Sequence, residues 1–381
     1  PHRGLLTYVY AYYAECNTHL AFYAETDAGK RRSLLEEAAD IARRGMVYAK
    51  YERRREIHHA LSKALTCLAY VSRANEDKAR PLREALPIRE DDVRTLNRIA
   101  PNSWDSGVMY HYLAFVKYEL SYVEADLSVK ARLLQDAASD MEQCIERCTK
   151  WEFNPSCMAA LATYYERYGD GLRRLYELTL ERDVAQRTTK AYAEAISRME
   201  KLGTSLVAAG ARWKLAKAYD NIGDYKEASL AFGKASEDYQ NAAAKIPRVA
   251  STFKELSSYM QAWSLIEEAR LFHDGEQYSS AKENYAKVET LLQTTISWSH
   301  MSKHYRACSL LEQGEFLSRQ EQHDKSIQSF KSAADSFQAA EAEMKNTLEK
   351  TADSQEKQDI QDWLKITRSR AKYCLGRADL E

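Results

Sequence analysis

The sequence predicts an all-α protein built from about seven long helical hairpins. Only 13 Gly and 6 Pro occur among 381 residues, so few positions interrupt a helix. A strand-rich fold would need many more turn-forming residues. A small residue also recurs where the centre of each second helix is expected, at Ala38, Ala85, Ala137, Ala195, Ala228, Ala281 and Ser326.

The first half of the chain contains a long internal repeat. Seven residues from Tyr23 to Ala39 recur 99 positions later, from Tyr122 to Ala138. Both copies contain a Glu-x-Asp pair. Because side chains two residues apart on a helix point to different faces, we expect these pairs to cap the next helix and not to bind metal or act as acid and base. The repeated carboxylates are Glu25 and Asp27, Glu124 and Asp126, and, at the same distance before Ala195, Glu181 and Asp183.

The clearest hairpins lie between residues 205 and 345. Small residues at Ala216 and Ala228 allow two helices to approach closely, and Gly223 permits the turn between them. A later copy has Glu321 where the turn glycine should be. The residues of the best copy are Leu215, Ala216, Tyr219, Gly223, Tyr225, Ala228, Phe232 and Ala235.

This pattern resembles the tetratricopeptide repeat, specifically over about residues 190–345 and weakly before residue 190. The resemblance implies a right-handed α–α superhelix that holds a protein partner. We expect three segments, 1–104, 105–204 and 205–381, or one continuous solenoid. The best candidate boundary is the proline-containing stretch from Pro81 to Gly107, and a second lies at Asn154 and Pro155.

The first helix is expected from about Gly4 to Tyr23 and is apolar almost around its circumference. The end of a solenoid should present a polar outer face. We therefore expect either a flanking domain or a second copy of the chain to cover this helix.

The charge balance excludes a global attraction to nucleic acid or to an anionic membrane, because 55 basic residues face 56 acidic ones. The longest apolar stretch, Leu5 to Ala14, is too short to span a bilayer. Seven scattered cysteines are typical of reduced thiols in a cytoplasmic protein.

Motifs for catalysis or cofactor binding are missing from the sequence. It contains no phosphate-binding loop, dinucleotide fingerprint or nucleophile elbow, so we expect a non-catalytic protein without a cofactor. His300 and His304 share a helix face and form the best metal candidate, although a third ligand would have to come from another helix. Cys144 and Cys148 have the same spacing, and we expect them to be small apolar residues on a packed face.

A basic cluster forms the strongest local concentration of charge. Its arginines sweep around the helix, and Glu52 and Glu56 interleave with them. A solvated face with ion pairs is one interpretation, and a patch for nucleic acid or an acidic partner is the other. The cluster comprises Arg43, Arg44, Lys50, Arg53, Arg54 and Arg55.

The resemblance also implies a partner-binding groove lined by the first helix of each hairpin. Trp213 and Lys217 occupy the positions where a carboxylate clamp would need Lys and Asn, so that clamp is not predicted. Trp213 would be an anchor for the partner, or else would lie in the seam between hairpins. Lys217 and Arg270 would be exposed cations that contact an acidic segment. The implied groove residues are Trp213, Lys217, Asp220, Asn221, Ile266, Arg270, His273, Asp274, Leu311, Glu315 and Arg319.

These features predict a scaffold or adaptor that binds a protein or peptide segment, either free-standing or as the sensor arm of a larger regulator. The alternative is a metal-binding or nucleic-acid-binding helical protein that uses His300 and His304 or the basic cluster.

Overall fold

The computed structural model describes residues 2–49, 54–72 and 74–381, except for the side chains of residues 2–4, 354 and 355. Over these ranges the chain forms fifteen α-helices, and no β-strand occurs. The predicted all-α fold class is therefore confirmed. The chain divides into two compact units, Pro1–Arg198 and Met199–Glu381.

In the first unit each helix from α1 to α6 packs against the next one along the chain. The last helix, α8, contacts α7 through the Tyr192 hydroxyl, which donates to Asp170 at 2.8 Å. A turn of π-helix, Leu20–Ala24, follows α1. The helices are α1 (His2–His19), α2 (Ala28–Met46), α3 (Arg54–Val71), α4 (Asn75–Ile99), α5 (Trp104–Val123), α6 (Leu127–Thr149), α7 (Pro155–Thr179) and α8 (Arg182–Lys201).

The second unit continues the same pattern, and each helix from α9 to α14 packs against its successor. Short 3₁₀ turns precede α11 and α13. The helices are α9 (Ser205–Asn221), α10 (Tyr225–Lys245), α11 (Ala250–Asp274), α12 (Tyr278–Gln293), α13 (Ser302–Arg319), α14 (His323–Lys350) and α15 (Ser354–Leu380).

The small residues predicted at the hairpin centres all lie at helix crossings. Each of α2, α4, α6, α8, α10, α12 and α14 carries one of the seven residues from Ala38 to Ser326, and all seven side chains are 0% exposed. The even-numbered helices are thus the second helices of seven hairpins, as predicted, and α15 follows them. The chain has a tetratricopeptide-like helical repeat fold.

Serine hydroxyls show how closely the helices of the second unit approach. The Ser236 hydroxyl of α10 donates to the Ser257 carbonyl of α11 at 2.8 Å. Seven residues along α11, the Ser264 hydroxyl donates back to the Ser229 carbonyl at 2.9 Å. The contacting residue numbers increase along α11 while they decrease along α10, so the two helices are antiparallel. A side-chain bond to a helix carbonyl requires the two backbones to lie close together, which only small residues allow.

The three turns within the hairpins of the second unit have the same geometry. In each, one residue adopts a left-handed conformation, and the next N–H bonds the carbonyl five residues earlier. These contacts define a Schellman motif, which satisfies carbonyls at the end of a helix. The left-handed residues are Gly223 (φ 77°), Glu276 (φ 56°) and Glu321 (φ 55°). Glu321 therefore adopts the conformation that the sequence pattern assigns to glycine.

Two of the three Glu-x-Asp pairs cap helices, as predicted. Asp27 accepts a hydrogen bond from the Lys30 N–H at 2.8 Å and caps α2. Asp126 accepts from the Ser128 N–H at 2.8 Å and caps α6. Asp183 lies inside α8 and forms an ion pair with Arg187, so the third pair is not an equivalent cap.

The stretch predicted as the best boundary is largely helical. Helix α4 runs through Pro81 and Pro87 and ends only at Ile99. Proline removes an N–H from the helix but does not stop it where packing holds the neighbouring turns, and Pro81 is itself buried. Most of the candidate boundary stretch therefore lies within α4. The division into segments 1–104, 105–204 and 205–381 stays a prediction.

Helix α1 exposes several large apolar side chains, among them Leu5, Val9, Tyr12 and Tyr13. The predicted apolar circumference is thus present on an outer surface of the first unit. Its covering by a flanking domain or a second copy stays a prediction.

Replacing Ala281 with Leu should lower the free energy of unfolding by about 1–3 kcal/mol, because the crossing in α12 has no room for a larger side chain. The matched control is Ala286→Leu on the exposed side of the same helix, with a change within about 0.5 kcal/mol. Chemical denaturation of both variants checks this. Equal stability of the two would mean that the buried face of α12 is misassigned.

Replacing Glu321 with Gly should raise the free energy of unfolding by about 1 kcal/mol, because a left-handed backbone strains any residue with a Cβ atom. The reverse control, Gly223→Ala, should lower it by a similar amount at the equivalent turn. Denaturation curves of the two variants give the signs. A less stable Glu321→Gly protein would show that the glutamate side chain stabilises the turn.

Candidate binding site in the second unit

The first helices of the second unit lie side by side and run in the same direction. Trp213 of α9 contacts Tyr259 of α11 edge to face, with ring centroids 6.2 Å apart. Further along both helices, Asp220 accepts a hydrogen bond from Arg270 at 2.5 Å. The residue numbers of both partners increase together, so the two helices are parallel.

The same relation continues from α11 to α13. His273 bonds Glu312 at 3.0 Å, and Glu276, just past the end of α11, pairs with Arg319 at the end of α13. The first helices therefore form one row, α9, α11 and α13. Polar bonds hold adjacent members of the row in register.

Helix α15 occupies the next position in this row. His304 bonds Thr367 at 2.9 Å, and the Tyr373 hydroxyl donates to Glu315 at 2.8 Å. The residue numbers of both partners again increase together, so α13 and α15 are parallel. Helix α15 therefore packs as the first helix of a further hairpin and covers part of the surface that α13 would otherwise expose.

A cavity of about 480 Å³ lies within this row. It opens to solvent beside His273, which is 44% exposed, and beside the exposed Asp274. Four of the predicted groove residues lie in its wall, Arg270, His273 and Asp274 of α11 and Leu311 of α13. The lining residues are Tyr225, Arg270, His273, Asp274, Tyr285, Cys308, Leu311, Glu312, Arg370 and Tyr373.

Arg270 is bound on both sides by carboxylates. It donates to Asp220 at 2.5 Å and to Glu267, 0% exposed, at 3.0 Å. Burial raises the pKa of Glu267 to about 7, against the opposing charge of Arg270. The prediction that Arg270 is an exposed cation is therefore wrong. The side chain joins α9 to α11 and neutralises a buried acid.

His273 and Glu312 form a second polar pair in the cavity wall. The hydrogen bond that His273 donates to Glu312 raises the pKa of His273, and burial raises the pKa of Glu312. A raised histidine pKa favours the charged imidazolium, which compensates the adjacent carboxylate.

Arg370 differs from these groups because its guanidinium is held by neutral acceptors. It donates to the Cys308 sulfur at 2.7 Å and to the His304 Nε2 atom at 3.3 Å. Burial raises the pKa of Cys308 and lowers that of His304, so both remain uncharged near neutral pH. Among the side chains that the structure describes, no carboxylate lies within ion-pairing distance of Arg370.

Several predicted groove residues are not accessible to a partner. Ile266 is 2% exposed and belongs to the hydrophobic core, which corrects its assignment to the groove. Leu311 and Glu315 are also buried. Glu315 accepts from Tyr373 and pairs with Arg377, both on α15. Helix α15, which follows the recognised repeats, is the reason that this part of the groove is covered.

Trp213 lies in the seam between hairpins. It is half-buried against the aromatic cluster of α11, and its indole N–H is buried without a hydrogen-bond partner. The Lys217 ammonium lies 5.0 Å from the centre of the Trp213 ring. These contacts favour the seam interpretation over a free anchor. Lys217, Asn221 and Asp274 remain at the surface.

The sequence-based set missed the far wall of the cavity. Tyr225, Tyr285, Arg370 and Tyr373 come from α10, α12 and α15, outside the first helices of the recognised repeats. One signal was present in the sequence: Thr367, Arg370 and Cys374 are spaced by three and four residues, as expected on one buried face of a helix.

The structure does not support the alternative metal site at His300 and His304. His304 is fully buried, and both of its ring nitrogens are occupied, one by Thr367 and the other by Arg370. It cannot turn towards His300 without breaking both contacts. Across the described part of the chain, no group of three or more potential ligands could hold a metal ion.

Most of the described arginines of the basic cluster form ion pairs at the surface. Arg43 binds Glu84 through two hydrogen bonds at 2.8 Å, and Arg55 binds Asp105 at 2.8 Å. Lys50 and Arg53 lie outside the described residues. The paired arginines agree with a solvated face and leave less free charge for a polyanion.

Cys144 and Cys148 are buried in the core of the first unit, as predicted. All seven cysteines are free thiols. None of the described helices combines the length and the apolar character needed to cross a membrane.

Comparison with known proteins gives only distant likenesses. No family model and no curated protein matches this sequence. A circular tandem repeat protein with a novel repeat topology is 14% identical over 99% of this chain and 98% of its own, with a TM-score of 0.33. The tetratricopeptide-repeat domain of P58(IPK) is 12% identical over 96% of this chain and 99% of its own, with a TM-score of 0.20.

A third solved structure, the APC/C hetero-tetramer Cut9–Hcn1, is 12% identical over 99% of this chain and 89% of its own, with a TM-score of 0.20. Similarity at this level adds nothing to the fold assignment. That assignment depends on the hairpins, crossings and turns of the chain itself.

Replacing Arg270 with Glu should lower the free energy of unfolding by about 3–5 kcal/mol, because Glu267 and Asp220 would lose their shared cation and face a third acid. The control is Arg306→Glu on the exposed face of α13, with a change within about 0.5 kcal/mol. Urea denaturation compares them. Similar stability of both variants would contradict the structural role of Arg270.

Proposed function

We propose that this chain is a non-catalytic protein–protein interaction scaffold. In this proposal the second unit binds a peptide or protein segment along its row of first helices. The observation that carries the proposal is the parallel row α9, α11, α13 and α15, with an open cavity of mixed charge in its wall.

The cavity wall is held rigidly before any partner arrives. Arg270 is fixed by two carboxylates, and Tyr373 by its bond to Glu315. Preorganised side chains lose little conformational entropy on binding, so more of the contact energy appears as affinity. This favours a recognition surface over a passive solvated face.

The accessible groups define the kind of segment that fits. Lys217 lies on the surface of α9, whereas Asp274 and half-exposed His273 lie at the end of α11. Tyrosine rings line the cavity between them. A segment with acidic and apolar residues would complement the cations and the rings.

The proposal extends to the setting of the protein. We place it in the cytoplasm, in keeping with its free thiols, as an adaptor or as the sensor arm of a larger regulator. A flanking domain or a second copy would cover the apolar face of α1.

Site-specific photo-crosslinking tests the proposed surface. A photoreactive amino acid at Asp274, on the rim of the cavity, should capture a discrete set of proteins in cells. The matched control carries the same group at Glu283, an exposed position of α12 outside the cavity. Mass spectrometry should find specific partners only with the Asp274 probe, because only that position faces the groove.

Identical capture patterns at the two positions would refute the groove as the binding surface. A partner captured at Asp274 must also bind the purified full chain, as measured by titration. Failure of all such partners to bind would refute the scaffold role of this unit.

A further inference from the structure

The cavity of the second unit contains a cation, Arg370, that has no direct ion pair with any of the described side chains. Arg270 is paired with Asp220 and Glu267, and His273 is paired with Glu312. Arg370 has only a thiol and a neutral imidazole as acceptors. Arg370 is half-buried and has lost part of its hydration without gaining a direct counter-charge, so an incoming anion would gain a charge-assisted contact there.

Tyrosine hydroxyls supply further donors around this charge. Tyr285 is 4% exposed, and its ring lines the cavity. Tyr225 lines the wall beside Arg270, whose guanidinium lies 5.6 Å from the centre of the Tyr225 ring. Among the contacts of the described residues, neither hydroxyl has a hydrogen-bond partner. Because both residues line the open cavity, their hydroxyls are available to donate to a group from outside the chain.

We infer that this cavity binds a carboxylate, which the Arg370 guanidinium contacts directly and the hydroxyls of Tyr285 and Tyr225 help to hold. The inference rests on the proposed scaffold function in assigning that carboxylate to an Asp or Glu side chain of the bound segment. The volume of about 480 Å³ suits a side chain and not a whole helix.

The charge balance favours a carboxylate over a phosphate. Arg370 offers one uncompensated positive charge, which a single carboxylate neutralises. A phosphate group carries nearly two negative charges and would approach Glu312 and Asp274 in the same wall. The planar guanidinium also matches the two oxygens of a carboxylate.

This site differs from the clamp that the sequence comparison excluded. Its cation comes from α15, beyond the recognised repeats, and its hydroxyls come from α10 and α12. It therefore exists only where those helices enclose the end of α11.

The experiment measures ligand binding by the full chain at constant ionic strength. The probes are succinate, its uncharged analogue succinamide and inorganic phosphate. The two charges of succinate lie on separate carboxylates, of which one can enter the site, whereas those of phosphate lie on one group. Binding is followed by calorimetry and by the rise in melting temperature. Succinate should bind, succinamide should bind at least about tenfold more weakly, and phosphate should bind more weakly than succinate.

Three variants locate the binding group. Arg370→Gln keeps a donor for Cys308 but removes the charge, and it should lower succinate affinity about tenfold to a hundredfold. Arg370→Lys should retain part of the affinity because it keeps the charge. The control is Arg368→Gln on the exposed face of α15, which should bind as the wild type does.

Near-ultraviolet dichroism of each variant without ligand verifies that its core is intact. If Arg370→Gln does not fold, the comparison between Arg370→Lys and the wild type, together with the succinamide probe, decides the question. Equal binding of succinate and succinamide, or unchanged succinate affinity in a folded Arg370→Gln protein, would overturn the inference. Tighter binding of phosphate would overturn the choice of carboxylate.

A competition arm separates this site from the scaffold proposal. If succinate displaces the partner captured at Asp274, and Arg370→Gln captures less of it, the carboxylate belongs to the segment. If succinate binds but capture is unchanged, the site stands and its assignment to the segment is overturned. If no partner is captured while succinate still binds, the scaffold proposal fails and the carboxylate site survives.

Discussion

Close contact between helix backbones is the constraint on which every hairpin of this chain depends. The seven small residues of the second helices have no exposed surface, and Gly314 shows how little room remains at such crossings. A Cβ atom added there would lie 2.7 Å from the ring of Phe330. Short separations bring many atoms into dispersion contact and allow serine hydroxyls to bond carbonyls of the neighbouring helix. The rows of first helices and the cavity exist because these crossings hold.

Polar side chains then set the register between hairpins. Asp220 with Arg270, and His273 with Glu312, join successive first helices at defined positions. Such bonds specify one alignment because a shift of a turn would leave a buried carboxylate without its partner, at a cost of several kcal/mol. The sequence alone predicts that these residues form a charged binding surface. In the structure most of them pair with one another.

Helix α15 converts this row into a site. It covers Glu315, places Arg370 against Cys308 and closes one side of the cavity. The remaining imbalance of charge is local and small, a single guanidinium among neutral acceptors. Charged groups in such unusual surroundings cluster at functional sites. The proposed scaffold function uses the surface around the cavity. The proposed carboxylate site uses the Arg370 guanidinium inside it.

The helical class, the seven crossings, the position of the Glu321 turn and two of the three aspartate caps were predictable from sequence, because each depends on residues close together in the chain. Helix periodicity, left-handed turns and caps are local physics. The site was predictable only in part. Arg270, His273 and Asp274 line the cavity, but Ile266 and Glu315 are buried and Arg370 was missed. Whether a charged residue on a helix faces water or a partner depends on what packs against it, and α15 lies about 100 residues away from Arg270. Only the tertiary structure decides which charges are paired and which one remains without a counter-ion.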